Sequence, residues 1–257
     1  MKLLLALDVG NTGIDLGVFQ AENLLARWSL ATDRGRTMDE YGVLIRSFFL
    51  AKELQIESVG SMAIACVVPP LESVLQDVAR HYFSVDPLFV APGIRTGMPL
   101  LVDNPQEVGA DRVVNGVAAF ERFRRAVIVV DLGTATTFDA VSAKGEYLGG
   151  AIAPGLRISA QALVDATAKL PRIDLKRPEK AIGKNTVASM QSGILFGYLG
   201  MVRTMLERMR AEMGGQPAVI ATGGLAQLLQ PDLGEWVDEV DRDLTLTGLR
   251  ILHERNA

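Results

Sequence analysis

The sequence contains very little cysteine or histidine, and it has no excess of basic residues. Among 257 residues there are one cysteine, Cys66, and two histidines. One cysteine excludes an internal disulfide, and its apolar neighbours favour a buried thiol in a reducing cytoplasm over a catalytic thiol. With 26 Lys and Arg against 30 Asp and Glu, the net charge is −4. No positive field is present to attract nucleic acid, so no nucleic-acid partner is expected.

Long hydrophobic runs are also missing. The apolar segment 3–7 ends at Asp8, so it is too short to span a membrane. It lacks a cleavage site of small residues, and we interpret it as a first strand, not a signal peptide. We therefore expect a cytoplasmic protein without a membrane partner. The hydrophobic share of 49% and the charged share of 22% are typical of a globular enzyme.

Two short motifs divide the chain into similar halves. The stretches DVGNT (8–12) and DLGT (131–134) each follow an apolar run, and each leads into a returning strand. Both motifs open a predicted three-strand meander that is followed by alternating strands and helices. The repeat is too long for a solenoid, so it indicates an internal duplication. We predict two α/β domains, 1–118 and 119–257, joined within or beside a helix over 111–123.

The two motifs have the chemistry of phosphate-binding turns. A glycine turn exposes backbone N–H groups without an obstructing Cβ, and the aspartate at the strand end can hold Mg²⁺ beside phosphates. The hydroxyls of Thr134, Thr136 and Thr137 are expected to donate to phosphate oxygens, although threonine is also an ordinary strand residue. A third stretch, VIATGGLA (219–226), suits close approach of a nucleotide or, equally, a helix start without a ligand.

The stretch EVGADRVVN (107–115) places Asp111 and Arg112 at the start of a predicted helix. Asp111 could simply satisfy the free N–H groups of the first turn. Arg112 is unfavourable there for the same dipole, which indicates another role. An acid that orients a hydroxyl, beside an arginine that grips an anionic substrate, would explain both residues.

A long helix is predicted over 185–213, with two adjacent apolar stripes. Such a helix needs cover on both faces. It is either a central core helix or a helix shared between its own domain and a second subunit. Three glycines on its flank, Gly193, Gly197 and Gly200, allow close approach and favour the dimer.

The paired DVGNT and DLGTATT motifs, with ATGGLA, resemble those of the acetate/sugar kinase, actin and heat-shock-chaperone superfamily. Together with NPQEVGADRVVN, YLGGAIAPG, AKLP and IGKNTVASMQSG, they closely resemble type III pantothenate kinase over nearly the whole chain. The resemblance implies two duplicated ribonuclease-H-like domains (an actin-like ATPase fold) with the active site in the cleft between them. It also implies ATP-dependent phosphorylation of pantothenate to 4'-phosphopantothenate, the first step of coenzyme A biosynthesis, by a homodimer.

The same resemblance implies a role for each matching residue. The ATP phosphate loop would comprise Asp8, Val9, Gly10, Asn11, Thr12, Gly13, Ile14 and Asp15, with Thr134 as a second phosphate contact. Pantothenate would contact Gly109, Ala110, Asp111, Arg112 and Thr186, with Asp111 as the base on its hydroxyl. Asp131 would hold a monovalent cation, K⁺ or NH₄⁺, in addition to the Mg²⁺ that accompanies ATP. The chain departs from the family at Gly13, where many members have asparagine, and at Val102, where they have tyrosine.

Three other functions fit parts of this pattern. The chain could be a kinase for another small molecule, which GADR and GKNT argue against. It could be a phosphohydrolase, in which Asp111 would activate water. It could also be a non-catalytic accessory or regulatory protein on the same scaffold. The last class predicts the loss of Asp8, Asp111 or Asp131, and because all three are present the sequence favours an enzyme.

Overall fold

The computed structural model describes residues 2–257, which form two compact units. The first unit contains residues 2–99, Asp103–Ala118 and Asp243–Ala257, and the second contains Leu100–Val102 and Ala119–Arg242. The main change of unit falls at residue 118, inside a helix. The C-terminal residues belong with the N-terminal sheet, whereas the sequence had placed them in the second half.

The first half of the chain builds a sheet and three helices. Its elements are β1 (Leu3–Val9), β2 (Gly13–Gln20), β3 (Asn23–Ala31), α1 (Met38–Ala51), β4 (Val59–Cys66), α2 (Pro70–Phe83), β5 (Leu88–Phe89) and α3 (Ala110–Phe123). The second half continues with β6 (Val127–Leu132), β7 (Ala135–Val141), β8 (Tyr147–Pro154), α4 (Leu156–Asp165), α5 (Thr186–Met213), β9 (Ala218–Thr222), α6 (Ala226–Leu233), β10 (Glu239–Val240) and α7 (Leu244–Asn256).

The two sheets have the same topology. Their strand orders are β3-β2-β1-β4-β5 and β10-β9-β6-β7-β8. In each, the first three strands form an antiparallel meander, and the last two add in parallel on the other side of the first strand. The predicted duplication is therefore confirmed at the level of strand order and direction.

The first strand of each sheet is deeply buried. Leu5, Leu7 and Val9 of β1 pack in a core with Tyr41 and Phe49 of α1. In the second unit, β6 contributes Ile128, Val130 and Leu132 to an equivalent core that includes one side of α5. Because each first strand is fixed on both edges and buried, the turn at its carboxyl end has a rigid support.

Helix α7 packs on the first sheet, although no pattern in the sequence predicted it. Its Thr245 hydroxyl donates to Asn115 Oδ1 at 2.7 Å, and both residues are buried. A Cβ built on Gly248 would lie 2.4 Å from the carbonyl oxygen of Val114, so the two helices cross at close range. The C-terminal helix thus fixes the part of α3 that follows Asp111.

Helix α5 begins where predicted, at an Asn185 N-cap whose side chain accepts from the N–H of Ala188. One stripe, including Leu199 and Val202, is buried. The glycine flank expected to allow close approach is open, since nothing lies within 4 Å of a Cβ built at Gly193, Gly197 or Gly200. No helix within residues 2–257 is long and apolar enough to serve as a membrane span.

Candidate functional site

The first turn joins β1 to β2 and stands at the end of a buried strand. The Gly10 N–H donates to the Gly13 carbonyl at 2.9 Å and closes the loop. Between them, Asn11 and Thr12 are exposed, and so is Gly13 itself. A turn of this kind presents backbone and short side chains to an anion with no large side chain in the way.

Two carboxylates lie opposite each other beside this turn. Asp8 and Asp15 are direct cross-strand partners in the β1–β2 hairpin, an arrangement that is unfavourable for like charges. Arg27 partly offsets it, because its Nη2 lies 3.1 Å from an Asp15 oxygen. The same guanidinium, through Nε, lies 2.9 Å from an oxygen of Asp243, at the start of α7. Asp15 is therefore held by a basic side chain and by a hydrogen bond from the Ser29 hydroxyl.

The second turn, between β6 and β7, is shorter. Its Gly133 N–H donates to the Ala135 carbonyl at 3.1 Å, and Thr134 is exposed at the tip. A Cβ on Gly155, the N-cap of α4, would lie 2.2 Å from the Thr134 carbonyl oxygen and 2.6 Å from that of Gly133. The backbone of this turn is therefore packed directly against the glycine of the YLGGAIAPG stretch, a support that sequence reasoning missed.

Two of the three threonines expected to donate to phosphate use their hydroxyls within the protein. Thr136 is fully buried, with its hydroxyl 2.6 Å from the Tyr198 hydroxyl. Thr137 donates to the buried carboxylate of Asp139 at 3.0 Å. The expectation was wrong for Thr136 and Thr137, because their hydroxyls are used inside the second unit. Thr134 is exposed, and its phosphate contact stays a prediction.

Asp131 lies between the second turn and the Gly223-Gly224 turn that follows β9. One of its carboxylate oxygens would be 2.3 Å from a Cβ at Gly223, which has a φ of +91°, and 3.3 Å from one at Gly133. Only glycine fits beside the carboxylate at Gly223. The VIATGGLA stretch therefore forms the predicted strand and turn, and α6 follows it.

Asp111 and Arg112 begin α3 as predicted. An Asp111 carboxylate oxygen accepts from the Arg112 N–H at 2.9 Å. Burial raises the pKa of Asp111, although that hydrogen bond and the Arg112 charge oppose the shift. A Cβ on Gly109 would lie 2.6 Å from the same carboxylate oxygen, so the glycine leaves room for it. A carboxylate with a raised pKa is better suited to accept a proton than an exposed one.

The remaining predicted residues lie on the second unit. Thr186 is the first residue of α5, exposed, directly after the Asn185 cap. Val102 packs near Gly149 of β8, where a built Cβ would be 3.6 Å from a Val102 methyl group. The adjacent Leu101 N–H donates to the Tyr147 carbonyl at 2.8 Å, so this short segment continues the second sheet.

The donor set beside the first turn fits Mg²⁺ bound together with phosphates. Within residues 2–257 no group of three or more His, Cys, Asp or Glu could form an all-protein metal site. Mg²⁺ commonly takes one or two carboxylates and completes its shell with phosphate oxygens and water. Asp8 and Asp15 meet that requirement.

Cys66, expected to be buried, is only half-buried, and its partial burial raises the pKa of the thiol.

The chain is similar to known proteins over almost its full length. The type III pantothenate kinase family matches residues 4–208. A relative from Anaeromyxobacter sp. (strain Fw109-5), named type III pantothenate kinase, is 55% identical over 99% of this chain and 100% of its own.

Solved structures of much lower identity share the fold. A Campylobacter jejuni protein of the Baf family gives a TM-score of 0.61 at 18% identity, covering 98% of both chains. MreB 5 of Spiroplasma citri bound to AMPPNP gives 0.56 at 10% identity, over 99% of this chain and 96% of its own. The expected actin-like ATPase fold, built from two ribonuclease-H-like domains, is confirmed.

Proposed function

The chain belongs to the type III pantothenate kinase family, and we propose that it transfers the terminal phosphoryl group of ATP to the hydroxyl of pantothenate. The product is 4'-phosphopantothenate, and the reaction is the first step of coenzyme A biosynthesis. The full-length 55% identity is the observation that carries this proposal. Two local features support it: the first strand of each sheet ends in a glycine turn, and Asp111 at the start of α3 is a largely buried acid.

The first turn is the proposed phosphate loop, comprising residues 8–15, and Thr134 is the proposed second phosphate contact. Support comes from the exposed tips of both turns and from their attachment to buried strands. Asp8, with Asp15 opposite, would hold Mg²⁺, which neutralises phosphate charge when ATP is bound.

Asp111 is the proposed base. Its carboxylate accepts a hydrogen bond from the acceptor hydroxyl, which orients the attacking oxygen, and takes the proton late in the transfer. The raised pKa of Asp111 supports this role, since a stronger base holds the proton better. Gly109 and Ala110 would leave space for pantothenate, Arg112 would pair with the substrate carboxylate, and Thr186 would donate a further hydrogen bond.

Asp131 is the proposed ligand of a monovalent cation, K⁺ or NH₄⁺. Its carboxylate lies against two glycine turns, where a hard cation could add backbone carbonyl oxygens to its shell. A homodimer is proposed as well, because the glycine flank of α5 offers a second copy of the chain an open surface for close helix packing. Light scattering on the purified protein measures its mass in solution and so distinguishes a dimer from a monomer. The cytoplasm is the proposed location of the reaction.

The central experiment measures ADP release with Mg·ATP and pantothenate, pantetheine, a common sugar or no acceptor, each with and without K⁺. We expect turnover that requires pantothenate and K⁺. Asp111→Asn should lower kcat by roughly 10²- to 10⁴-fold, the usual contribution of a positioned base. Because burial raises the pKa of Asp111, the wild-type rate should fall on acidification at a higher pH than an exposed aspartate would give.

Stability provides the control for that variant. A folded-state pKa above the unfolded value means that ionised Asp111 opposes folding once the pH exceeds the folded pKa. Asp111→Asn should therefore match or exceed the wild-type melting temperature at pH 8. ADP release that is independent of any acceptor would indicate a phosphohydrolase instead. A folded protein without turnover would indicate the accessory class.

A further inference from the structure

The segment 32–36, between β3 and α1, follows the edge of the first turn; we call it the rim segment. Its Thr32 hydroxyl donates to the Gly10 carbonyl at 2.6 Å. The Thr32 N–H donates to the Thr12 carbonyl at 3.1 Å. One residue is thus bonded to the backbone on both sides of Asn11, and the rim segment is fixed to the turn where it begins.

A buried tyrosine fixes the next residue of the rim segment. The Tyr41 hydroxyl donates to the Asp33 carbonyl at 2.8 Å and accepts from the Asp33 N–H at 3.1 Å. The Tyr41 side chain is fully buried in the core of the first unit. The Asp33 carboxylate accepts from the Gly35 N–H at 2.9 Å and lies 3.8 Å from Arg36 Nε. The segment is therefore preorganised, and its one carboxylate is engaged by neighbours other than Arg34.

Arg34 is the residue that this scaffold holds beside the turn. Its side chain is exposed, and its Nη2 donates to Asn11 Oδ1 at 2.9 Å, at the tip of the first turn. Across residues 2–257, no Asp or Glu lies within salt-bridge distance of it, whereas Arg27 and Arg36 each have a carboxylate partner. The neutral amide of Asn11 does not compensate the charge of the guanidinium. The other N–H groups of the guanidinium can donate to a further acceptor.

From this placement we propose that Arg34 binds the phosphate chain of ATP at the first turn. The inference rests on the proposed function of residues 8–15. Asp8 and Asp15 bring negative charge to a site that must accept a polyphosphate, and a fixed guanidinium offsets it. An exposed arginine is usually only solvated. Here, however, the two residues before it, Thr32 and Asp33, are anchored by hydrogen bonds, and its head group already contacts the turn.

Steady-state kinetics of four proteins test the inference: wild type, Arg34→Gln, Arg34→Lys and the control Arg46→Gln. Arg46 is exposed on α1, so its variant makes the same charge change away from the turn. We expect Arg34→Gln to raise KM for ATP by about 10- to 100-fold, the usual loss for a charge-assisted hydrogen bond. KM for pantothenate should change by less than about 2-fold, because the proposed pantothenate contacts lie at residues 109–112 and at Thr186, not at the first turn.

The lysine variant and a melting curve separate binding from structure. Arg34→Lys keeps the positive charge but lacks the planar guanidinium that can donate two parallel hydrogen bonds. Its KM for ATP should therefore lie between those of wild type and Arg34→Gln. Melting temperatures of all four proteins should agree. An unchanged KM for ATP in Arg34→Gln would overturn the inference, as would an equal rise of both KM values with a lowered melting temperature. A wild-type chain that does not use ATP would overturn the proposed function itself.

Discussion

The two glycine turns carry similar short motifs, yet their surroundings differ. The first turn has three exposed residues at its tip and a basic side chain beside it. The second has one exposed threonine, and its backbone is covered by Gly155. A duplicated motif has thus acquired two environments. The first presents several groups to a ligand, whereas the second is a rigid support from which one hydroxyl projects.

Substitution of Gly155 should have the largest effect in this comparison. A methyl group there would collide with two backbone carbonyl oxygens of the second turn, and backbone cannot rotate away as a side chain can. We expect Gly155→Ala to cost about 1–3 kcal/mol or more in the free energy of unfolding, as overpacked sites do. Because Thr134 must move, kcat should fall as well. Denaturant unfolding and initial rates measure both.

Gly234→Ala is the matched control, because nothing lies within 4 Å of a Cβ built there. Its unfolding free energy should stay within about 0.5 kcal/mol of wild type. If Gly155→Ala behaves like this control, the second turn is not closely packed, and the contrast between the two turns disappears.

Substitution of Thr136 tests whether its hydroxyl stabilises the interior of the second unit or binds ATP. Thr136→Val removes a buried hydroxyl and leaves the Tyr198 hydroxyl without its partner. The cost should be about 1–3 kcal/mol in unfolding free energy, with KM for ATP nearly unchanged. Thr134→Val should instead raise KM for ATP and leave the unfolding free energy nearly unchanged, because its hydroxyl is exposed at the tip. Thermal unfolding and ATP kinetics of the two variants separate these outcomes.

The double variant Thr136→Val/Tyr198→Phe completes the test. Removing both partners of a buried hydrogen bond costs less than the two single losses together, so the effects should not add. A raised KM for ATP in Thr136→Val, without loss of stability, would instead restore the role that the sequence suggested for this hydroxyl.

Local patterns in the sequence predicted the meanders, the two turns and the long helix correctly. Strand alternation also contained the signal for Thr136. It has the same parity as Phe138 on β7, and Phe138 is fully buried, so the two side chains share a face. The proximity of three threonines to a glycine turn favours a shared phosphate role instead, and the two signals conflict at Thr136.

Other features depend on contacts that no local pattern contains. Thr245 donates a hydrogen bond to Asn115, which lies 130 positions earlier in the sequence. The packing of α7 on the first sheet therefore could not be predicted from the spacing of residues. The need for glycine at position 155 could not be predicted from spacing either. The YLGGAIAPG stretch is visible in the sequence, but Gly155 is required because the backbone of the second turn packs against it. The position of Arg34 beside Asn11 depends on the buried Tyr41 hydroxyl, which the sequence shows only as a core residue.

The smallest effect is expected at Gly13, where the resembled family often has asparagine. Gly13 lacks a left-handed backbone, and a Cβ there would be 3.5 Å from the Leu30 carbonyl oxygen, an ordinary contact. Gly13→Asn should therefore stabilise the fold slightly, by less than about 1 kcal/mol, because it restricts the unfolded chain. Denaturant unfolding measures this change. A loss of stability above about 1 kcal/mol would mean that the first turn is packed as closely as the second. The difference between the two turns would then lie in their charges alone.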